Sequence, residues 1–186
     1  MPFEEKEISE LGKLKTDFYQ RSLKNSAEFR QRYAQQKTIV KAAEMPWEDS
    51  PQGLIKHLVN EEMDTKEYCL DIYQQFLKQG EHSGKHRHLT EEILYILEGK
   101  GYDLHWDVKF DCADAYIWDW ESEPQKFSWQ EGDFVYIPPY AIHQHSNSNS
   151  DKPARLISCT SRIVKALGFD WFDQLEDAPS FKKGSV

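Results

Sequence analysis

Two histidines separated by one residue constrain this chain more than any other feature. His86 and His88 flank Arg87, and Glu92 follows four residues after the second histidine. Side chains two residues apart on a β-strand point to the same face, so a strand here would direct both histidines to one side and Lys85 and Arg87 to the other. A bend after His88 would return Glu92 to the same centre. Imidazole and carboxylate groups directed at one point are ligands for a divalent first-row transition metal.

A second stretch, further along the chain, supplies another histidine. It runs from Gly132 through Pro138 to His143, His145 and Asn147, and it predicts a strand, a tight turn at the prolines and a second strand. His143 is predicted to be a fourth metal ligand. His145 would share its inward face, and three roles remain open for it: general base near a substrate, hydrogen-bond donor behind the ligands, or structural histidine.

Together these stretches resemble the two signature motifs of the cupin superfamily. The residues that carry the resemblance are His86, His88, Glu92 and Gly99 in the first motif and Gly132, Pro138, His143 and Asn147 in the second. Tyr140 stands where the second motif usually has glycine, so the turn there must be built differently. The resemblance implies a mainly β chain, a cupin antiparallel β-barrel or jelly roll. The sequence itself adds predicted N-terminal helices and a short C-terminal helix.

The predicted ligand set also limits the choice of cofactor. Three neutral imidazoles and one carboxylate would leave a divalent ion with a net positive charge and with open coordination positions in an octahedral site. The ligand set suits Fe(II), and it also suits Mn(II), Ni(II), Co(II), Zn(II) and Cu(II).

Composition excludes several classes of partner. The net charge is -9 and no basic run is present, which argues against binding to nucleic acid or to anionic membrane surfaces. The three cysteines are scattered without paired spacing, as expected for reduced thiols. With no membrane-length apolar run and no apolar N-terminal signal, we expect a cytoplasmic protein with a small-molecule substrate.

The chain is expected to divide into three parts. Residues 1–37 are predicted to form a helical extension, with helices over 8–24 and 25–36 and Asn25 or Ser26 as a possible N-cap. Residues 38–161 would form the barrel, and residues 162–186 a helix and tail packed on it. A homodimer is implied by the cupin resemblance, and the N-terminal segment is long enough to mediate it.

Four residues outside the motifs are candidates for a substrate pocket. Gln74 falls on the apolar face of a predicted strand, and Trp106 and Trp118 add aromatic surface suited to a planar ligand. Arg155 would neutralise a substrate carboxylate. For each of them the structural alternative is open: a hydrogen-bonded partner for Gln74, core or loop packing for the tryptophans, and an exterior salt bridge for Arg155.

A finer resemblance suggests a reaction. Met45-Pro-Trp47, the His86-Arg87-His88 triplet and the His143-to-Asn147 segment are similar to the gentisate and salicylate 1,2-dioxygenase branch of the cupins. That branch opens hydroxylated aromatic acids with Fe(II) and O2, usually lacks the glutamate and typically has two cupin units. The resemblance implies a non-haem Fe(II) dioxygenase acting on a small hydroxylated aromatic or enolic acid. The alternatives are an O2-independent metal-dependent isomerase, lyase or decarboxylase, and a non-catalytic binding cupin.

Overall fold

The described residues of the N-terminal part of the chain include one long helix. A computed structural model describes residues 16–66, 69–111, 117–169 and 171–182. The chain separates into two compact units, 1–37 and 38–186, and helix α1, Phe18–Gln35, belongs to the first. Within the described residues, no helix is both long and apolar enough to cross a membrane.

Helix α1 differs from the two predicted helices. It runs without a break across residues 25 and 26, so the prediction of a helix boundary there is wrong. Ser26 does not cap a helix; instead its Oγ accepts a hydrogen bond from Arg30 Nη1, one turn later, at 2.9 Å. The earlier part of the predicted first helix, residues 8–15, lies outside the described residues.

The second unit is built mainly from β-strands. Its short helical segments are the 3-10 turns Ala42–Glu44 and Glu61–Met63 and helix α2, Ile163–Ala166. Its strands, in chain order, are β1 Trp47–Ser50, β2 Gly53–Val59, β3 Leu70–Leu77, β4 Lys85–His88, β5 Glu92–Glu98, β6 Lys100–Trp106, β7 Val108–Asp111, β8 Ile117–Trp120, β9 Gln125–Gln130, β10 Phe134–Ile137, β11 Ile142–Asn147, β12 Ala154–Ser161 and β13 Phe172–Glu176.

These strands form two main antiparallel sheets. In the described part of the unit, one sheet has the order β1-β2-β3-β12-β5-β10 and the other has the order β13-β4-β11-β6-β9. Strands β7 and β8 pair separately as a two-stranded ribbon. Most neighbours in the sheets are distant in sequence, which is the strand order of a jelly roll and not of a simple meander.

Alternation along the strands decides which side chains enter the barrel. In β5, Glu92, Leu94 and Ile96 are buried, while Ile93 and Tyr95 between them are exposed. The same period of two holds in β4, β6 and β12. Each strand therefore contributes one face to the interior, as expected for strands covered on a single side.

The apolar core fills the space between the two main sheets. Its members come mostly from the six-stranded sheet, with Trp129 contributed by β9 of the other, and they are Leu77, Leu94, Ile96, Trp129, Val135, Ile137, Ala141, Ala154 and Leu156. Burial of each large aliphatic side chain stabilises the fold by about 1.5–3 kcal/mol. A Cβ atom at Gly101 would overlap the Trp129 ring and the Ser146 carbonyl, so only glycine lets β6 approach this closely.

The C-terminal segment adds a strand to the five-stranded sheet. The sequence analysis expected a helix and a tail over 162–186, and it did not predict β13. This strand pairs antiparallel with β4, so that Phe172 lies opposite His88 and Gln174 lies opposite His86. The C-terminal segment therefore places side chains beside the histidine motif, on the inner face of the barrel.

Candidate metal centre

Four side chains from both main sheets meet at one place in the barrel. His86 and His143 are directly opposite each other on β4 and β11, and His88 follows on the inner face of β4. Glu92, the first residue of β5, approaches from the other sheet. We call His86, His88, Glu92 and His143 the ligand group. Each offers one possible ligand atom, these atoms lie within 4.8 Å of one another, and all four residues are buried.

The carboxylate lies at the centre of the ligand group. Glu92 Oε2 is 2.8 Å from His88 Nε2 and 3.2 Å from His143 Nε2. The ring centroids of His86 and His143 are 4.1 Å apart, and those of His88 and His143 are 5.0 Å apart. The i, i+2 spacing in β4 and the turn before β5 therefore bring the predicted side chains together, as the sequence analysis expected.

Backbone carbonyls determine which nitrogen of two imidazoles carries the proton. His88 Nδ1 lies 2.8 Å from the Thr90 carbonyl oxygen, and His143 Nδ1 lies 2.9 Å from that of Ala141. A carbonyl oxygen can only accept, so both Nδ1 atoms must donate. In the neutral imidazole the proton is then absent from Nε2, whose lone pair faces Glu92.

Burial sets the charges within the ligand group. It lowers the pKa of His86 well below its usual value, an effect strengthened by His143, and it lowers the pKa of His143 although Glu92 opposes this. Burial alone would raise the pKa of Glu92, but the His143 and His88 imidazoles hold that pKa well below its usual range. Glu92 is therefore ionised, and its negative charge is balanced either by a proton on a facing Nε2 atom or by a metal ion in the same place.

This arrangement of acceptors fits a divalent cation. If both Nε2 atoms carried lone pairs, they would face an anionic oxygen at 2.8 and 3.2 Å, which is repulsive unless a proton or a metal ion lies between them. His143 Nε2 and His86 Nδ1 are also buried without a hydrogen-bond partner among the described residues. A metal bound by nitrogen and oxygen ligands would satisfy all of these atoms together.

Two contacts outside the ligand group hold it in place. Ser158, on β12, donates a hydrogen bond of 2.5 Å to Glu92 Oε1, which leaves Oε2 directed at the histidines. The Tyr140 backbone N–H donates to the His88 carbonyl at 2.9 Å and so connects the turn before β11 to the end of β4. Such contacts orient metal ligands and raise the affinity of a site. Nothing in the sequence pattern marked Ser158.

Tyr140 explains how the second motif dispenses with its usual glycine. The residue adopts φ of 65°, the left-handed region that glycine occupies most easily. Its carbonyl accepts a hydrogen bond from Trp120 Nε1 at 3.0 Å, and its ring lies 5.4 Å from the Trp120 ring. These contacts offset the strain, which is on the order of 1 kcal/mol or more for a residue with a side chain.

His145 belongs to a second buried group of polar side chains. Asp103 accepts from Trp129 Nε1 through Oδ1 at 2.8 Å and from His145 Nδ1 through Oδ2 at 3.0 Å, and His105 Nε2 lies 3.6 Å away. We call Asp103, His105, Trp129 and His145 the Asp103 cluster. The His145 ring lies 5.5 Å from that of His143, and its Nε2 has no hydrogen-bond partner among the described residues.

Opposite charges hold the Asp103 cluster together. Burial alone would lower the pKa of His145, but the Asp103 charge and hydrogen bond raise it above its usual value. Burial alone would raise the pKa of Asp103, but His145 and the other donors hold it well below its usual range. Asp103 could have been found from the sequence, because it lies two residues before His105 on the inward face of β6.

The predicted pocket residue Trp106 lies on the outer side of the five-stranded sheet. In β6 the buried residues are Gly101, Asp103 and His105, so Trp106 points the other way. The Lys85 ammonium group lies 4.0 Å from its ring centroid. Its interpretation as a pocket wall is therefore wrong, and its role is to cover an outward lysine of β4 by a cation–π contact.

Gln74 and Arg155 also lie on the outside of the barrel, and the side chain of Trp118 is not described. Gln74 is on the outer face of β3, because its neighbours Gln75 and Leu77 occupy the inner face. Arg155 is exposed and pairs with Glu98 at 2.7 Å, which is the exterior salt bridge considered as its alternative. The backbone of Trp118 pairs within the β7–β8 ribbon, and its side chain lies outside the described residues.

Comparison with known proteins places the fold. No family model matches the sequence, and no curated protein matches it. A variant of Bacillus subtilis oxalate decarboxylase is 16% identical, with a TM-score of 0.56 over 75% of this chain and 33% of that chain. Vicilin from hazelnut, Corylus avellana, is 10% identical, with a TM-score of 0.54 over 74% of this chain and 35% of that chain. CapF in complex with 3-isopropenyl-tropolone is 15% identical, with a TM-score of 0.51 over 71% and 34%.

These similarities agree with the topology described above. The chain spans about a third of the length of each of these solved chains. At such low identity they establish the fold alone, and it is the mainly β jelly roll with few helices that the cupin resemblance predicted. This jelly-roll barrel encloses a buried His-His-Glu-His group.

Proposed function

We propose that this barrel is a metal-dependent enzyme, specifically a non-haem Fe(II) dioxygenase acting on a small hydroxylated aromatic or enolic acid. The observation that supports it is the convergence of four buried ligand atoms within 4.8 Å, with a carboxylate facing imidazole lone pairs. Fe(II) bound there would polarise chelating substrate oxygens and transfer electrons to O2. The His-Arg-His and His-x-His-x-Asn segments favour this chemistry through their resemblance to ring-opening dioxygenases.

Each residue of the site has a distinct part in this proposal. The ligand group would hold the metal, and Ser158 would keep Glu92 oriented through its 2.5 Å hydrogen bond. Phe172 lies 5.4 Å from the His86 ring and 6.0 Å from the His88 ring, so it would provide an apolar side chain beside a substrate bound at the ligand group. An apolar wall excludes water and strengthens the electrostatic contacts of a bound substrate.

Oxygen consumption tests the proposal directly. The protein, purified without oxygen and loaded with Fe(II), is mixed with a panel of hydroxylated aromatic acids in an oxygen electrode. We expect oxygen uptake with at least one acid, and none from the metal-free protein or from His143→Ala. If the fully Fe(II)-loaded protein consumes no oxygen with any acid, the dioxygenase proposal is wrong.

A second candidate is an O2-independent metal-dependent decarboxylase, isomerase or lyase. The observation that favours it is His145, whose ring lies beside that of His143 and whose Nε2 lacks a hydrogen-bond partner among the described residues. With Nδ1 held by Asp103, this imidazole could deliver a proton from Nε2 to a carbanion or enolate product. Mn(II) centers are described for the oxalate decarboxylase of Bacillus subtilis, and Mn(II) suits the same ligands here.

Anaerobic turnover separates the two candidates. Under the second one, the Mn(II)-loaded protein releases CO2 or an isomerised product from a small acid without oxygen, and His145→Gln reduces this rate much more than it reduces metal content. Under the first one, no anaerobic turnover occurs. Tight binding of an acid without turnover under either condition would instead indicate a binding protein.

We also propose that the barrel forms a homodimer through the outer face of the six-stranded sheet. Strands β5 and β10 align Tyr95 with Phe134 and Ile93 with Tyr136, and all four side chains are exposed. A cluster of exposed aromatic and aliphatic side chains is typical of an interaction surface, and a second copy offers the same surface for a twofold contact. Light scattering should give twice the chain mass, and Phe134→Glu should give a monomer; a wild-type monomer contradicts the proposal.

A further inference from the structure

Three glutamines form a chain of hydrogen bonds on the inner side of the barrel. Gln174 is on β13, Gln52 is in the turn between β1 and β2, and Gln75 is on β3. Gln52 Nε2 donates to Gln174 Oε1 at 2.6 Å, and Gln75 Nε2 donates to the Gln52 backbone carbonyl at 2.8 Å. We call these three residues the amide chain.

Backbone carbonyls determine the orientation of every amide in this chain. Gln174 Nε2 donates to the Glu176 carbonyl at 2.7 Å, so Oε1 is the atom that faces Gln52. Because that oxygen can only accept, Gln52 must direct its nitrogen toward it. Gln75 in turn faces a carbonyl with its nitrogen. None of the three amides can be flipped without placing two acceptors against each other.

This orientation leaves two oxygens unused. Gln52 Oε1 and Gln75 Oε1 are buried and have no hydrogen-bond partner in the part of the chain that the structure describes. The residues are 7% and 0% exposed, so neither is a surface side chain open to bulk water. An unsatisfied buried acceptor destabilises a fold. Two such oxygens in one chain indicate a place that receives hydrogen-bond donors.

The amide chain connects to the ligand group at both ends. At one end, Gln174 lies directly opposite His86 in the β13–β4 pair. At the other, Gln75 is preceded on the same face of β3 by Tyr73, which lies opposite Ser158 and shares a hydrogen bond with it. Ser158 then donates to Glu92. Polar side chains of the inner face therefore lie between the amide chain and the ligand group at both of its ends.

The backbone before β4 holds the amide chain in a narrow space. A Cβ atom at Gly84 would overlap Gln174 Nε2 and the Pro51 carbonyl oxygen. Only glycine permits this approach, so the amide of Gln174 is fixed between two backbone segments. A site that is held in this way can discriminate between ligands, because its groups do not rearrange to suit the wrong one.

We propose that the amide chain is a substrate-binding position that accepts hydrogen bonds from a hydroxyl group of the acid bound at the metal centre. This rests on the proposed function and adds the substrate class: an acid that carries a hydroxyl beyond those that chelate the metal. Two neutral acceptor oxygens favour a hydroxyl and repel a second carboxylate. The apolar body of the substrate lies against Phe172, which precedes Gln174 on the inner face of β13.

Binding of matched aromatic acids tests the proposal. The probes are salicylate and its isomeric dihydroxybenzoates, which add one hydroxyl at different ring positions, and the measurement is the Kd for the metal-loaded protein by calorimetry. We expect at least one dihydroxybenzoate to bind about tenfold more tightly than salicylate, the gain from one added hydrogen bond to a buried acceptor. Gln75→Met should remove this preference and leave the salicylate Kd and the metal content unchanged.

The neighbouring residue on the same strand provides the matched control. Gln74→Met changes the outer face of β3 and should leave both Kd values unchanged. Gln52→Met is the second test of the amide chain, and it should also abolish the preference if Gln75→Met does not fold. The proposal is overturned if no dihydroxybenzoate is preferred, if none of the acids binds the metal-loaded protein, or if the preference survives in a folded Gln75→Met or Gln52→Met protein.

These outcomes are separable from those of the proposed function. If only the dioxygenase proposal is wrong, the protein takes up no oxygen but still binds the acids and still prefers the added hydroxyl. Loss of the amide-chain proposal appears as equal affinity for all the acids, whatever the oxygen electrode records.

Discussion

The barrel buries two groups that combine histidines with one carboxylate, and they differ in where their protons lie. In the Asp103 cluster, both carboxylate oxygens accept hydrogen bonds from N–H groups, at 2.8 and 3.0 Å. In the ligand group, Glu92 Oε2 faces Nε2 atoms whose imidazoles donate their Nδ1 protons elsewhere. In the first group both oxygens of the carboxylate are hydrogen-bonded, whereas in the second a proton or a metal ion must lie between Glu92 Oε2 and the imidazoles.

The difference comes from the backbone and not from the residue types. The carbonyls of Thr90 and Ala141 take the Nδ1 protons of His88 and His143, while His145 Nδ1 meets a carboxylate. Histidines and a carboxylate therefore form a candidate metal site in one place and a charged pair in the other. Substitutions in the two groups should therefore have different effects: loss of metal for the ligand group and loss of stability for the Asp103 cluster.

Removal of a histidine from the ligand group should have the largest effect. His143→Ala should reduce metal affinity by more than about 100-fold, because losing a contact outside the ligands already reduces affinity by roughly 10- to 100-fold. Metal per chain after dialysis, measured by mass spectrometry, checks this. His57→Ala is the control, since His57 pairs with Glu48 far from the ligand group in sequence and on another strand. Equal metal content in the two variants would contradict the assignment.

Removal of the carboxylate from the Asp103 cluster should act on stability instead. Asp103→Asn leaves buried His145 without its counter-ion, and breaking a buried ion pair reduces the free energy of unfolding by about 3–5 kcal/mol. Urea denaturation of the metal-free proteins measures this loss, and metal content should stay close to that of the wild type. Asp49→Asn, on the exposed side of β1, is the matched control. A loss of metal with unchanged stability would reverse the roles of the two groups.

Ser158→Ala should produce an intermediate effect on the metal. It removes the hydrogen bond that orients Glu92 but leaves every ligand in place, so metal affinity should fall by about 10- to 100-fold. Ser161→Ala, on the outer face of the same strand, should leave the affinity unchanged. Competition with a fluorescent chelator gives both constants. If Ser158→Ala binds metal as tightly as Ser161→Ala, Glu92 does not depend on this contact.

The smallest expected effect is a dependence of the unfolding free energy on pH, which comes from the Asp103 cluster. The pKa of Asp103 is lowered by folding, so its contribution is present above the ordinary aspartate pKa and is lost as the pH falls through the folded value. The pKa of His145 is raised, so its contribution is complete below the ordinary histidine pKa and is lost as the pH rises through the folded value.

The difference in unfolding free energy between metal-free wild type and Asp103→Asn should therefore be greatest between about pH 4 and pH 6.5. It should shrink on both sides of that window. Urea denaturation at a series of pH values measures it. A difference that grows steadily from about pH 6 to pH 9 would show that His145 is not held charged by Asp103.

The sequence predicted the centre of the molecule better than its surroundings. The spacing of His86, His88 and Glu92 predicted a shared face, because alternation within a strand is a local property. The choice between Gln74 and Gln75 depends on which face of β3 meets the opposite sheet, and a one-residue shift reverses it. Trp106 was assigned to the pocket for the same reason. Its aromatic side chain suited a planar ligand, but the sequence did not show which face of β6 it occupies.

Contacts between distant segments were the least predictable part. Strand β13 was not predicted, because the alternation pattern of a short segment after a helix does not indicate which strand it pairs with. The amide chain, which depends on β13, was therefore also missed. In helix α1 the sequence analysis predicted a boundary that does not exist. Ser26 is a residue type that often caps a helix, but here the helix continues through it.

The position of β13 also bears on the order in which the barrel is assembled. Phe172 and Gln174 complete the wall beside His86 and His88, although they are made long after those histidines emerge during translation. Contacts of such large sequence separation form slowly, and the ribosome makes the chain from its N-terminus, so β13 becomes available after every other strand of its sheet. The nascent protein would therefore acquire its ligands first and close the adjacent wall last, which leaves a period in which an ion can enter from the open side.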